Sequence, residues 1–212
     1  MGGIVDIDLT PVADLGIPGY YMAALDRAFG ADPAVVARDA RAWAAGMVSA
    51  GVLPVVKHWP GHGQATNSHT GAATTPALSV LARRDMIPFN AAFAGGVPAV
   101  MVGHLTVPGL TEPGRPATLS PAAYRYLRAR AGQTLIMTDS MGMGAVTGTL
   151  GLTEATASLR ALQAGADVVL VSNNPMSIVS VVQHAIDTGT YPRAAAVGAA
   201  NRMLAFKRRV NH

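Results

Sequence analysis

An alternation repeated along the chain narrows the folds open to it: short apolar, β-branched runs, each followed by a stretch with helical periodicity. The runs are "IVDIDLTPVADL" (4–15), "GVLPVVKHW" (51–59), "PAVMVGHL" (98–105), "TLIMTDS" (134–140) and "ADVVLVSNN" (166–174). Runs of this kind suit strands buried on both faces, as in parallel sheets. Helices are expected at Pro33–Ala50, Arg84–Ala94, Pro121–Ala131, Thr153–Ala164, Pro175–Thr188 and Ala194–Val210. Asp32 before Pro33 and Ser120 before Pro121 place a capping side chain ahead of a first-turn proline. Strand and helix alternating at this spacing predict an α/β fold.

The choice within that class is between an open doubly wound sheet and a (β/α)8 barrel. Each apolar run ends in polar, reactive types: Asp14, then Lys57 and His58, then His104, then Asp139, then Ser172 and Asn173. Polar groups at the C-terminal ends of successive strands are the barrel pattern, because those ends converge on one mouth. An open sheet would gather them at one switch point. The five runs fall short of eight strands, and the 212 residues fall short of the roughly 250 of a typical barrel. The expectation is therefore an incomplete TIM-barrel-type α/β fold of five or six units, forming a single domain over 1–212 that lacks its front strands.

Half the residues are hydrophobic and 13% are charged, enough apolar material for a sizeable core. No apolar run reaches the roughly 18 residues of a membrane span. The first residues, "MGGIVDIDLTPVADL", lack a signal-peptide pattern, so any export signal would lie upstream of them. The net charge of +4 comes from scattered arginines, and with 5% aromatic residues no basic, aromatic-laced nucleic-acid face is expected. The absence of cysteine excludes disulfides and thiolate metal sites.

Chemistry concentrates in "KHWPGHGQATNSH", Lys57 to His69. As a metal site, His58, His62 and His69 would need one helical face, which the glycines and Pro60 prevent. As a phosphate cradle, the stretch lacks the glycine-lysine patterns of known phosphate loops. The third reading is a glycine-rich loop leaving a strand, carrying His69 over a bound substrate for proton transfer. Among the acidic residues, Asp32, Asp39, Asp85, Glu154 and Asp187 read as caps or solvated faces. Asp14 and Asp139 stand at strand ends, where barrel residues are often catalytic.

Taken together, "KHWPGHG" with "NSH", and the later "IMTDSMGM", resemble family 3 glycoside hydrolases, in particular bacterial β-N-acetylglucosaminidases. "VDIDLTPVADL", "DRAFGADP", "RRDMIPF", "VMVGHLTVPGL", "PATLSP" and "ALQAGADVVLVS" are similar to family segments in the same order. The resemblance implies retaining hydrolysis of terminal β-linked N-acetylglucosamine from peptidoglycan or chitin-type fragments. It makes Asp139 the nucleophile and His69 the loop-borne acid/base. Arg27, Lys57, His58, His104 and Asn67 become candidate substrate-binding residues, and His62 a loop-shaping one. His104 reads equally well as a packed, hydrogen-bonded histidine. No metal or organic cofactor is implied; the expected partner is an N-acetylglucosamine-containing saccharide.

The sequence departs from the family pattern twice. Asn67 stands where the family has an aspartate two residues before the histidine, in a loop one residue shorter. The family's first strands are absent, which predicts exposed barrel edges suited to self-association. These departures motivate an alternative: a catalytically impaired barrel fragment that binds sugar, or assembles with a partner.

Overall fold

The computed structural model describes residues 6–209. Among these described residues seven strands run in chain order: β1 (Ile7–Asp8), β2 (Leu53–Trp59), β3 (Ala73–Thr74), β4 (Ala99–Val102), β5 (Leu105–Thr106), β6 (Leu135–Ser140) and β7 (Val168–Leu170). The main sheet is parallel in the order β1-β2-β4-β6-β7. Every strand adds on the same side as its predecessor, so there is no switch point, and the sheet curls into a half-barrel. The incomplete-barrel expectation is met, with five strands. β3 and β5 pair separately and in parallel at the strand ends.

Around the sheet lie α1 (Tyr21–Ala24), α2 (Pro33–Ser49), α3 (Leu78–Leu81), α4 (Ile87–Ala94), α5 (Pro121–Ala131), α6 (Thr147–Leu150), α7 (Glu154–Ala164), α8 (Pro175–Asp187) and α9 (Arg193–Lys207). Caps set the starts of the longer helices. Asp32 accepts from the backbone of Ala34 and Val35, Ser120 from Ala123, Thr153 from Thr156 and Asn174 from Ser177. The helix expected from Arg84 instead begins at Ile87, because the chain turns once between α3 and α4. Ile4 and Val5 of the first expected strand and Val210 of the last expected helix lie outside the described residues.

The period of two along each strand divides the core. Val56 of β2, Val100 and Val102 of β4, and Ile136 of β6 pack outward against the helices, and Trp59 joins them because the register of β2 shifts between Val56 and Trp59. Leu53 and Val55, Ala99 and Met101, and Leu135 and Met137 form the inner cluster, joined by Phe206 of α9. Continuing the inner rows one step toward the C-terminal ends reaches Lys57 on β2, Gly103 just beyond β4, and Asp139 on β6. The same face that is apolar lower in the barrel therefore becomes ionisable at its mouth.

The opposite end is held by one buried carboxylate. Asp167, ahead of β7, accepts from Arg128 of α5 at 2.6 Å, Arg202 of α9 at 2.7 Å and the backbone N–H of Ile136 at 2.9 Å. Its side chain is fully buried while both arginines remain about 30% exposed. Removing a carboxylate that closes such a cluster typically costs about 3 kcal/mol or more. Asp167→Ala is expected to lower unfolding free energy by that amount in a urea titration, with Arg202→Ala costing less because that arginine is partly solvated.

Candidate active site

Asp139 is the penultimate residue of β6, with its side chain 16% exposed. Its Oδ1 accepts the backbone N–H of Ser140 at 2.8 Å, which leaves Oδ2 turned toward His58, whose Nε2 lies 3.9 Å away. Lys57 stands beside it: burial lowers its pKa, as does the charge of Arg27, while Asp139, Asp14 and Asp8 act to raise it. Arg27 is half-buried, and Asp26 before it adopts φ 51°, a left-handed conformation unusual outside glycine. Lys57 thus brings positive charge to the neighbourhood of Asp139, with the charge of Arg27 close enough to act on Lys57.

The second strand end is organised by Asp14, a fully buried carboxylate. It accepts from the His58 backbone at 3.2 Å to each oxygen, from His58 Nδ1 at 2.7 Å, and from the His62 backbone at 2.7 Å. Burial pushes this carboxyl up, but the pull of His58 and His62 prevails, so it sits below its ordinary value. Asp14 was visible in the sequence as a strand-end acid. Its grip on His58 was not, because the partners are distant in the chain.

His69 rides on the loop after β2. Asn67 Oδ1 accepts from both the His69 backbone N–H at 2.9 Å and its ring Nδ1 at 3.0 Å. Tyr21 Oη lies 3.4 Å from the same ring nitrogen, a contact the sequence did not suggest. The loop is docked onto the turn that follows Asp139: Gly144 N–H donates to the His69 carbonyl at 2.9 Å and Ala145 N–H to the Ser68 carbonyl at 3.1 Å. A Cβ on Gly144 would come within 2.6 Å of the His69 carbonyl oxygen. Gly144→Val should therefore unlatch the loop, lowering any turnover about tenfold or more while leaving saccharide binding nearly intact. Steady-state kinetics beside a binding titration read the two separately.

The base of the loop rests on Asp85, which is buried rather than solvated as its sequence context suggested. Burial raises its pKa against the opposing pull of Arg84, which pairs with it at 2.8 Å and also donates to Gln64 of the loop. Gly61, at φ 122°, passes so close that an added Cβ would lie 2.7 Å from that of Asp85. Glu154 is likewise more than a solvated first-turn acid: its carboxylate accepts the backbone N–H groups of Ser172 and Asn173, tying down the loop after β7.

His104 is 1% exposed and spends both ring nitrogens inside the protein. Nε2 lies 2.8 Å from the Ser140 carbonyl, which can only accept, so Nε2 carries the proton and Nδ1 accepts from Thr118 Oγ1 at 2.8 Å. The ring reaches the site through Ser140, next to Asp139. Burial lowers the pKa of His104 and of His62 below 6.5. Across pH 7.5 to 5.5 the unfolded chain therefore binds more protons than the folded one, and stability falls as pH falls. Melting temperature is expected to drop over that interval, with a shallower slope in His104→Gln.

Among the described residues, no group of three or more His, Cys, Asp or Glu is arranged to hold a metal ion, and no helix is long and apolar enough to cross a membrane. Residues 3–206 match the family described as "Glycosyl hydrolase family 3 N terminal domain". The chain is 38% identical over 213 residues to the β-hexosaminidase LpqI of Mycobacterium tuberculosis, covering 96% of this chain and 54% of that protein. It is 39% identical over 171 residues to a β-hexosaminidase of Xylella fastidiosa, covering 79% of this chain and 49% of that one. A family 3 glycosyl hydrolase structure from Mycobacterium smegmatis superposes with a TM-score of 0.87 at 40% identity, over 95% of this chain and 63% of its own. A family 3 β-N-acetylglucosaminidase from a Paenibacillus species gives 0.90 at 31% identity, over 97% and 40%. The chain spans about half the length of the curated relatives it matches.

Proposed function

The chain belongs to glycosyl hydrolase family 3, and from that membership we propose that it hydrolyses terminal β-linked N-acetylglucosamine with retention of configuration. The substrates in this reading are peptidoglycan or chitin-type fragments. Asp139 attacks the anomeric carbon as His69 Nε2–H protonates the departing oxygen, giving a glycosyl ester on Asp139. His69 then takes a proton from a water that attacks the anomeric carbon on the face opposite Asp139, breaking the bond to the carboxylate oxygen and freeing the sugar and the carboxylate. Arg27, Lys57 and His58 serve as donors and acceptors to the sugar hydroxyls and acetamide. His104 acts one residue removed, by bracing the Ser140 carbonyl.

The observation that carries this reading is the latch between the His69 loop and the turn after Asp139, through Gly144 and Ala145. It joins an imidazole carrier to a strand-end carboxylate at one barrel mouth. The test is incubation with an aryl N-acetyl-β-glucosaminide, following the first-formed sugar by NMR. The β-anomer appearing first supports the reading; the α-anomer, or no release above an Asp139→Ala control, refutes it for this chain.

Asn67 favours a second reading, a sugar-binding module with impaired chemistry, because its neutral amide meets the His69 ring without bringing charge. In that case the chain binds N-acetylglucosamine, alone or completed by a partner at its sheet edges, with no turnover.

A further inference from the structure

One buried group outside the proposed reaction holds one of its participants. Asp14 is fully buried and ionised, so it can only accept hydrogen bonds. The 2.7 Å contact from His58 Nδ1 to Oδ2 is therefore an N–H donation, and Nδ1 carries the ring's permanent proton. That leaves Nε2 as the free edge of the imidazole, 3.9 Å from Asp139 Oδ2. The same carboxylate holds the backbone on both sides of the "HWPGH" turn, through the N–H groups of His58 and His62. Gly103 completes the arrangement, since a Cβ there would press to 3.1 Å against that of His58.

We propose that Asp14 is a positioning residue: it fixes the plane and the proton of His58 so that Nε2 is presented to a hydroxyl of the sugar bound at Asp139. This rests on the hydrolase reading for the identity of the sugar, and on the geometry alone for the state of the ring. An asparagine at position 14 reverses that state. Its oxygen remains with the His58 and His62 backbone donors, so its NH₂ faces Nδ1 and drives the ring proton to Nε2. The other charged or titratable groups around the pair are Lys57, His62, Asp85, His104 and Asp139.

The test is ¹⁵N NMR of the His58 ring, which distinguishes a protonated Nδ1 from a protonated Nε2. In the unmodified protein Nδ1 should carry the proton throughout pH 6–8, and added N-acetylglucosamine should shift Nε2 more than Nδ1. In Asp14→Asn the proton should move to Nε2, and kcat/KM should fall about 10- to 100-fold, mostly through KM. In a His58→Gln background the same substitution should cost less than threefold, a non-additivity that a merely structural role would not produce. An Nε2–H ring in the unmodified protein overturns the proposal, even should Asp14→Asn fail to fold. So does a tautomer change in Asp14→Asn without loss of kcat/KM or of N-acetylglucosamine binding. The ring measurements need no turnover, so absence of hydrolysis would sink the hydrolase reading and leave Asp14 to be judged on the ring protons and sugar binding.

Discussion

Replacing Asp139 by asparagine is expected to lower hydrolysis of an aryl N-acetyl-β-glucosaminide by about 10⁴-fold or more, the scale seen when a covalent nucleophile is removed. The substitution keeps the size of the side chain and the carbonyl that accepts from Ser140 N–H, so fold and loop position should persist. What is lost is the oxygen that bonds to the anomeric carbon. A fluorinated donor that slows breakdown of the glycosyl ester should add its mass to the peptide containing Asp139, and to no peptide of the Asn variant. Label on a different acidic peptide would move the nucleophile elsewhere. An Asn variant retaining more than a few per cent of the rate would also remove Asp139 from the chemistry.

The second large effect concerns the ring on the loop and the amide beside it. His69→Ala should lose about 10³-fold on a disaccharide, whose leaving oxygen needs a proton, within the range typical of general acid catalysis. With an activated aryl leaving group that requirement falls away, and the remaining defect lies in activating water. Azide, which needs no base, should then restore release. Asn67→Asp should act in the opposite direction. The present amide already accepts from both the backbone and Nδ1 of His69, so an aspartate can enter the same geometry while adding a charge that favours the imidazolium. By analogy with carboxylate-histidine pairs elsewhere, the gain should be about 10- to 100-fold, with the alkaline limb of kcat/KM moving upward. An unchanged rate in Asn67→Asp would mean that charge beside His69 does not limit this chain.

Much of the architecture was legible in local pattern. Apolar runs at 51–59, 98–105 and 134–140 contain β2, β4 and β6, and the capping residues Asp32 and Ser120 stand at the starts of α2 and α5. Such signals act over a few residues, through side-chain period and unpaired backbone N–H groups, so the chain displays them directly. The short elements α1, α6, β3 and β5 were not visible, since two to four residues carry too little pattern. Asp85 and Glu154 misled for a related reason. Their neighbours in sequence suit caps or solvent, whereas the backbone that Glu154 holds and the loop that covers Asp85 arrive from elsewhere in the chain.

Local pattern along the chain dictates the parallel α/β plan, the delivery of Lys57, His58, His104 and Asp139 to strand ends, and the family likeness. A strand with period two and an apolar lower half must present its last residues at one edge of the sheet. How those residues are divided among tasks depends on contacts made only once the chain has folded. His104 turns both nitrogens inward to Thr118 and Ser140. Asp14 grips His58, and Gly144 receives the loop that carries His69. Each of these contacts joins segments that local pattern treats independently. Their partners are chosen by the curl of the sheet, which converges five strand ends on one mouth.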